Sequence, residues 1–466
     1  MKKEYEEKLA AVAKGVWDHP EAGFLEFESS RIHVDFLRSE GFEIEENVAD
    51  TVTGYVAKYG SGHPVIALLG EFDALYGLGQ KADVAEYAPD GCEMGHGCGH
   101  HLLGAGVIGA GLLIRDYLKE HQCSGTVLVC GCPAEESGSG KAYMARDGVF
   151  NDTDIALAWH PGLLHQVGTG SSQSCIQTYF RFHGIASHAA GSPQAGRSAL
   201  DAVELMDVGV NYLREHMEST DRVHYAITNS GGKSPNVVQA EAEVKYLIRS
   251  TSNPKCLALY ERVCNIARGA ALMTGTTMEI VFDEGLSNTI VNFTLEKVMQ
   301  EAFREVGVPE YTEEELAYAK KFRDSWPHEF TMDNVGEHVK DKRALLKNMQ
   351  ESPICSILVE NECSDVCHMG STDVGDVSWV VPTESLGTAC YSYGAGAHSW
   401  QWVAQGKSSI AMKGMYTAAE VLARTAEKLL EDPALIEEAK EEFKDRTAGM
   451  KYECLIPADV KPHVIS

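Results

Sequence analysis

Three short apolar runs, separated by helical patterns, constrain the fold of this chain more than any other feature. HPVIALLG (63–70), GTVLVCGC (125–132) and IALAW (155–159) have the length and composition of buried strands. A Gly- and Ala-rich apolar helix is predicted over 102–119, between the first two runs. Strands that alternate with helices through short connections predict an α/β fold with a parallel sheet, in which ligands bind at the carboxyl ends of the strands.

A different pattern occupies residues 172–285. Its order is strand, helix, strand, strand, helix, strand, which is that of a split ferredoxin-like α+β unit. At 466 residues the chain also exceeds the roughly 250 to 300 residues at which a single core stops growing. We therefore predict a catalytic domain formed by 1–171 and 286–466, interrupted by an inserted domain at 172–285.

Beyond residue 286 the pattern returns to helices and short strands. We expect a strand at the apolar run 378–382 and a helix over 411–430. The stretch 311–349 is rich in Glu, Asp and Lys with interspersed aromatic residues, and we interpret it as a charged surface insertion. Its charges favour a solvated face over a binding site.

The charge balance limits the possible partners. The chain has 40 Lys and Arg residues against 68 Asp and Glu, a net charge of −28, so nucleic acid and anionic membranes would be repelled. No window approaches the roughly 18 uninterrupted apolar residues of a membrane span. The odd number of cysteines, 13, and the polar opening MKKEYEEKLA predict reduced thiols and a cytoplasmic enzyme.

The segment GHGCGHH (95–101) carries the strongest chemical signal. Cys98 and His100 are two residues apart in a glycine-rich turn, where a thiolate and an imidazole can face one point. These ligand types suit Zn²⁺ or another divalent transition metal. Taken alone, the segment is equally compatible with a turn that caps the following helix.

Metal-compatible residues also follow other predicted strands. Glu135 and Glu136 come directly after the second apolar run, where one carboxylate can bind a metal while the other acts as a general base. His160 follows the third run, and His398 lies in the small-residue segment GAGAHSWQ. A lone histidine is more often a buried structural residue, and two acids in a turn often face solvent. The coincidence of several such loops at one sheet edge nevertheless favours a metal site.

These motifs belong to longer segments that resemble one known family. The segments are HPEAGFLEFE (19–28), EFDAL (71–75), HGCGH (96–100), PAEESGSGK (133–141), WHPG (159–162), SHAAGSPQAGRSALDAVELM (187–206), SPNVVQ (234–239), GSTDVGDVSW (370–379) and GAHSWQ (396–401). Together they span nearly the whole chain and resemble the M20 metallopeptidase and amidohydrolase family, specifically its aminoacylase-like branch. The resemblance implies a zinc-peptidase-like catalytic domain interrupted by a ferredoxin-like lid and dimerisation domain.

The resemblance also implies a metal centre. It predicts two divalent ions, Mn²⁺ or Zn²⁺, in each subunit, with Glu135 as the general base and Asp73 as a residue that orients a ligand histidine. The implied metal ligands are Cys98, His100, Glu136, His160 and His398. His101 departs from the branch, which has Asp or Asn at this position, and whether His101 is itself a ligand stays open.

Four residues of the inserted domain acquire roles in the same way. His188 is implied as a donor to the developing oxyanion, often across a dimer interface. Asn236 and Arg249 match positions that bind the carboxylate of the substrate, and Arg197 is an alternative carboxylate clamp. For each arginine, an ion pair on the lid surface or between domains is an equal alternative.

The implied reaction is metal-dependent hydrolysis of the amide bond in N-acyl or N-aroyl amino acids, such as p-aminobenzoyl-glutamate. An M20 dipeptidase, or another hydrolase of amino-acid conjugates, is the first alternative. An inactive regulatory or scaffold subunit of a hydrolase complex is the second. The implied partner is a second copy of the chain, bound through the lid domain, or a related second subunit.

Overall fold

The computed structural model of the chain describes residues 1–326 and 328–464, in which the strands form two main sheets and one two-stranded pair. The strands are β1 (Glu43–Glu46), β2 (Tyr55–Ser61), β3 (Val65–Gly70), β4 (Leu75–Tyr76), β5 (Met94–Gly95), β6 (Gly125–Gly131), β7 (Ile155–Gly162), β8 (His165–Val167), β9 (Ser174–His183), β10 (Arg222–Asn229), β11 (Glu241–Ser250), β12 (Thr277–Leu286), β13 (Leu358–Val359) and β14 (Thr383–Ala389). The α-helices are α1 (Lys3–Trp17), α2 (Phe27–Ser39), α3 (His100–His121), α4 (Gly140–Arg146), α5 (Ala199–Leu213), α6 (Asn253–Thr274), α7 (Phe293–Val306), α8 (Glu313–Arg323), α9 (Lys342–Glu351), α10 (Val374–Ser378), α11 (Trp400–Gln405), α12 (Ser409–Glu431) and α13 (Pro433–Arg446).

The large sheet has the strand order β1-β2-β6-β3-β7-β14-β8-β13. Its central strands β6, β3, β7 and β14 are parallel, whereas β1, β2 and β8 make antiparallel pairs nearer the edges. The three apolar runs therefore form adjacent parallel strands, as predicted, in a sheet that is mixed overall. Because β3, β6 and β7 run in the same direction, the segments that follow them meet at one edge of the sheet.

Helix α3 packs against this sheet and is almost entirely buried. Its glycines allow close contact: a Cβ atom at Gly106 would lie 2.6 Å from the ring of Trp159 in β7. By length and composition α3 is apolar enough to cross a membrane, but 83 % of its most apolar window is buried inside the protein. We therefore assign α3 to the core of the region that contains the large sheet.

The second sheet, β10-β11-β9-β12, is antiparallel throughout and packs against α5 and α6. Its elements follow the chain as β9, α5, β10, β11, α6 and β12, which confirms the element order predicted for residues 172–285. Ile176, Phe180, Val203 and Val263 belong to an apolar cluster distinct from that of the large sheet. This separation supports the division of the chain at 172 and 285, which we retain as a proposal.

One strand prediction is wrong. The apolar run 378–382 begins at the last residue of α10 and continues as a turn, and β14 starts only at Thr383. Val377 and Val381 belong to a buried cluster under the sheet. The apolar composition of the run therefore reflects burial in a turn, because short apolar runs do not distinguish backbone conformations.

The charged stretch 311–349 is more than a solvated face. It contains α8 and α9, whose apolar sides share a cluster with residues outside the stretch. The buried members of that cluster include Ala319, Phe330, Val335, Leu345, Met349, Ile354 and Tyr393. The charges thus cover the outside of a packed substructure.

Candidate metal centre

Six potential metal-binding side chains converge at the carboxyl edge of the large sheet. They come from strand ends and from the loops that follow them. Glu71 follows β3, Cys98 and His100 lie at the start of α3, Glu136 follows β6, His160 lies near the end of β7, and His398 follows β14. The parallel arrangement of the central strands brings these distant segments together.

The donor atoms of the six residues form three close pairs. Cys98 Sγ lies 3.4 Å from His160 Nε2, His398 Nε2 lies 3.3 Å from Glu136 Oε1, and His100 Nε2 lies 3.2 Å from Glu71 Oε2. Two donor atoms that bind one divalent ion at about 2.0 to 2.3 Å lie about 3.0 to 3.5 Å apart. The three separations therefore fit donor atoms that share metal ions.

Several of these atoms have no hydrogen-bond partner in the part of the chain that the structure describes. His100 Nε2, Glu71 Oε2 and Glu136 Oε1 are buried, and none makes a hydrogen bond to the described residues. Buried polar atoms are normally paired, so three such atoms facing one point are typical of a site that binds a metal ion. Imidazole, carboxylate and thiol groups together suit divalent transition metals, and the residues present thus fit a metal centre.

Hydrogen bonds to the outer ring nitrogens fix two of the histidines. Asp73 Oδ1 accepts from His100 Nδ1 at 2.7 Å, and Asp73 Oδ2 accepts from the backbone N–H of Glu136 at 2.9 Å. His160 Nδ1 lies 2.7 Å from the carbonyl oxygen of Pro161. Both contacts direct the Nε2 atom into the cluster, the usual arrangement around metal-binding histidines.

The adjacent residues Glu135 and Glu136 have opposite protonation tendencies. Burial raises the pKa of Glu135 well above its ordinary value, and the carboxylate of Glu71 adds to that rise. Burial also raises the pKa of Glu136, but the neighbouring His398 and His100 outweigh it and lower that pKa to about 2. Glu136 is therefore ionised, while Glu135 is suited to take up a proton.

Glu71 was not predicted from the sequence. Its Oε1 atom lies 2.6 Å from Lys141 Nζ, and the same ammonium group donates to Asp373 Oδ1 at 2.6 Å. Burial raises the pKa of Glu71, but the charges of Lys141 and His100 outweigh it and hold that pKa below its ordinary value. In the sequence, the sole signal was the place of Glu71 at the end of a strand, two residues before Asp73.

His101 points away from the cluster. Its Nε2 lies 2.9 Å from the carbonyl oxygen of Gly406, and its ring packs against His96 with centroids 5.0 Å apart. Burial lowers the pKa of His101 to about 3, so the ring is neutral. The structure thus gives His101 a packing role beneath the first turn of α3.

The predicted residues of the inserted region lie apart from the cluster. His188, Asn236 and Arg197 are exposed, and none of them lines the cavity beside the donor atoms. Arg249 comes nearer, because its Nη1 donates to Ser371 Oγ at 2.8 Å and Ser371 lines that cavity.

The cavity beside the cluster has a volume of about 450 Å³ and is lined by Glu135 and by five of the six donor residues, all except His100. Away from the cluster its wall carries two further carboxylates. Glu296 accepts a hydrogen bond from Thr169 Oγ1 at 3.2 Å, and Glu384 accepts one from the backbone N–H of Ser385 at 2.9 Å. Among the residues that the structure describes, no Lys or Arg lines this cavity. Its far end therefore favours a hydrogen-bond donor over an anion.

Comparisons with known proteins point to a single family. The family model described as Peptidase family M20/M25/M40 matches residues 67–428. The chain is 44 % identical to the B subunit of p-aminobenzoyl-glutamate hydrolase from Escherichia coli, over 98 % of this chain and 96 % of that protein. It is 29 % identical to the Xaa-Arg dipeptidase of Mus musculus, over 94 % of this chain and 89 % of that protein.

A solved structure of low identity has the same fold. It is the Bacillus subtilis YXEP protein, described as a dinuclear metal binding peptidase from the M20 family. The match has a TM-score of 0.58 at 19 % identity and covers 92 % of this chain and 99 % of that chain.

Proposed function

The chain belongs to peptidase family M20/M25/M40 and is a metal-dependent amidohydrolase of that family, and from this premise we propose that it cleaves N-aroyl or N-acyl amino acids, with p-aminobenzoyl-glutamate as its substrate. The observation that carries the proposal is the set of donor pairs, separated by 3.4, 3.3 and 3.2 Å, at the wall of a cavity. The identity of 44 % with the Escherichia coli p-aminobenzoyl-glutamate hydrolase chain supports the choice of substrate.

The proposed centre holds two divalent ions, Mn²⁺ or Zn²⁺, on five ligands. These ligands are Cys98, His100, Glu136, His160 and His398. The chemistry that bound divalent ions supply is polarisation of the scissile carbonyl and a lower pKa for the attacking water. The orientation of His100 by Asp73 supports the assignment, since ligand histidines are usually held through their other nitrogen.

Glu135 is the proposed general base. It lines the cavity next to the donor atoms, and its raised pKa makes it a better proton acceptor than an exposed carboxylate. In the proposed reaction Glu135 takes a proton from the attacking water and then gives that proton to the nitrogen of the leaving amino acid. The neighbouring Glu136, which is ionised, keeps its role as a ligand throughout.

We also propose that residues 172–285 form a lid and that a second copy of the chain binds to it, with a related A subunit as the alternative partner. Strand β10 is the edge of its sheet, and its Tyr225 and Ile227 are exposed. Beside His188, the apolar side chains of Ile185 and Val237 are exposed as well. An exposed sheet edge with apolar side chains is typical of a surface that pairs with another chain.

Such a dimer would bring His188 to the cluster of the other protomer as an oxyanion donor. A mixture of the inactive variants His188→Ala and Glu135→Gln tests this arrangement. If His188 acts across the interface, each mixed dimer contains one intact site, so about a quarter of the wild-type activity returns after exchange of protomers. If His188 acts within its own chain, no activity returns.

We assign the binding of the substrate's carboxylate to Asn236 and Arg249, with Arg197 as the alternative to Arg249. The contact of Arg249 with Ser371 at the cavity wall supports Arg249 over the exposed Arg197. Guanidinium groups bind carboxylates through two parallel hydrogen bonds, and lid closure would add such a group to a cavity whose described lining has no Lys or Arg.

At the other end of the substrate, we assign the binding of the amino group on the aminobenzoyl ring to Glu296 and Glu384. Both carboxylates adjoin the segment Gly168–Thr169. Thr169 donates to Glu296, and the backbone N–H of Gly168 donates to the carbonyl oxygen of Ser385, the residue after Glu384, at 2.8 Å. Carboxylate oxygens accept hydrogen bonds from N–H groups, so this end suits an arylamine.

The test of the proposed function is release of glutamate from p-aminobenzoyl-glutamate by the purified, metal-loaded chain, beside a panel of dipeptides that includes Xaa-Arg substrates. Preferred cleavage of the aminobenzoyl substrate supports the proposal. Preferred cleavage of dipeptides would favour the dipeptidase alternative, and a chain that neither binds metal nor cleaves any substrate would be a scaffold subunit.

A cytoplasmic location completes the proposal. The 13 cysteines are all free thiols in the described part of the chain, which suits a reducing compartment.

A further inference from the structure

Glu71 is a buried carboxylate that the five-ligand centre leaves unexplained. Its side chain is 5 % exposed, and its Oε2 atom has no hydrogen-bond partner among the described residues, although it lies 3.2 Å from His100 Nε2. A glutamate with a purely structural role would have both oxygens paired in such a position. The unpaired oxygen instead faces the same point as a ligand histidine.

The other oxygen of Glu71 is held by a buried lysine. Lys141 is fully buried, and its ammonium group lies 2.6 Å from Glu71 Oε1 and 2.6 Å from Asp373 Oδ1. Asp373, which is also fully buried, accepts in addition from the backbone N–H of Lys141 at 2.9 Å. Removing an ammonium group and two carboxylates from water costs free energy. Such a buried network is therefore stable only when its charged groups are held close to one another.

The network leaves Glu71 little freedom. Lys141 is anchored by both its backbone and its side chain to Asp373, so the position of its ammonium group is set by the start of α4. That group fixes Oε1 of Glu71 and thereby directs Oε2 towards His100. The separation of 3.2 Å falls within the range expected for two atoms that bind one ion.

Resting on the proposed metal centre, we propose that Glu71 is a sixth metal ligand and that Lys141, held by Asp373, is the positioning residue that presents Glu71 to the ion bound by His100. The proposal predicts that one of the two ions depends on Glu71 and on Lys141, while the other ion depends on neither.

In the first test, metal-free protein is titrated with Mn²⁺ alone and the heat of binding is measured by calorimetry. Elemental analysis after gel filtration then gives the number of ions bound per chain. Wild type is expected to bind two ions. Glu71→Gln, which keeps the shape of the side chain but weakens it as a ligand, should retain one ion unchanged and bind the second about 10- to 100-fold more weakly. Two ions of unaltered affinity in Glu71→Gln would overturn the ligand role of Glu71.

The second test concerns Lys141. Lys141→Met should weaken the same ion by a similar factor and change the visible absorption of the Co²⁺-loaded protein in the same way as Glu71→Gln. If Lys141→Met does not fold, the double variant Lys141→Met with Asp373→Asn removes one charge of each sign and serves in its place. Wild-type Mn²⁺ affinity and an unchanged Co²⁺ spectrum in the folded variant would overturn the positioning role.

A matched control is Lys245→Met. This variant breaks an ion pair in the other sheet, in which Lys245 Nζ lies 2.7 Å from Asp283 Oδ2. This variant should bind both ions as wild type does, and a loss of metal there would overturn the specific role of Lys141. Failure of the proposed metal centre is distinguishable, because wild type would then bind no Mn²⁺, and failure of the proposed substrate would leave Mn²⁺ binding in wild type while glutamate release is absent.

Discussion

His100 and Asp73 form a buried hydrogen bond of 2.7 Å that determines where the Nε2 atom of His100 points. The second oxygen of Asp73 accepts the backbone N–H of Glu136, so one carboxylate orients two of the proposed ligands. Asparagine cannot replace it, because its side chain offers a single acceptor oxygen.

Asp73→Asn should therefore lower the affinity for Mn²⁺ by about 10- to 100-fold, as measured by calorimetric titration. Asp376→Asn is a matched control, since Asp376 is a buried carboxylate that accepts from Ser287 and Tyr452 away from the cluster. The control should keep its metal affinity. Equal losses in both variants would show that the effect of Asp73 is not specific to the metal centre.

Glu135→Gln should retain metal and lose turnover by about 10²- to 10⁴-fold, because glutamine cannot take up the proton of the attacking water. Turnover is measured as glutamate release, and metal content by elemental analysis of the same sample. Glu136→Gln is the companion variant and should lose metal as well as turnover. Retained turnover in Glu135→Gln would remove Glu135 from the mechanism.

Glu384→Met should weaken recognition of an amino group on the aryl ring. Loss of one hydrogen bond to a carboxyl oxygen corresponds to about a tenfold fall in kcat/KM for p-aminobenzoyl-glutamate. Benzoyl-glutamate, which lacks the amino group, should be cleaved equally well by variant and wild type. A similar loss for both substrates would contradict the assignment of Glu384 to the amino group.

His33 should make the protein sensitive to acid. It is fully buried beside Tyr55, whose hydroxyl lies 3.1 Å from its Nδ1, and burial lowers its pKa from 6.5 to about 3. Because the folded-state pKa is depressed, its contribution is complete above pH 6.5 and is lost as the pH falls towards 3. The unfolded chain takes up a proton over this range and the folded chain does not.

The difference in stability between pH 6.5 and pH 5 should amount to about 1.5 kcal/mol for this residue. His33→Gln cannot titrate, and its amide oxygen can still accept from Tyr55. Urea unfolding of metal-free wild type and variant at both pH values measures the effect. If acid destabilises the two proteins equally, the pKa of His33 is not depressed in the folded state.

Much of the site was visible in the sequence because its residues follow strands of a parallel sheet. Buried apolar runs can be recognised from composition, and their common direction requires the following segments to meet. This reasoning brought Glu136 and His160 together. The glycine-rich segment around Cys98 and the small-residue segment around His398 were recognised by their composition, and the resemblance to M20 enzymes implied the role of each residue. The predicted family and hydrolase class are confirmed by the comparisons.

The remaining features depend on tertiary packing that no local pattern reports. Lys141 at the start of α4 has the sequence context of an ordinary surface lysine, and its contacts with Glu71 and Asp373 join segments up to 232 positions apart along the chain. The run 378–382 resembles a strand because burial alone gives it an apolar composition. The apolar cluster beneath the charged stretch 311–349 is likewise hidden by the abundance of exposed charges.

Removal and return of metal test the central claim most directly. Wild-type protein is stripped with a chelator, and glutamate release from p-aminobenzoyl-glutamate is followed as Mn²⁺ or Zn²⁺ is added back. The account predicts that the stripped chain is inactive and that activity rises with added metal until two ions are bound per chain. A stripped chain that cleaves the substrate at the undiminished wild-type rate would contradict it.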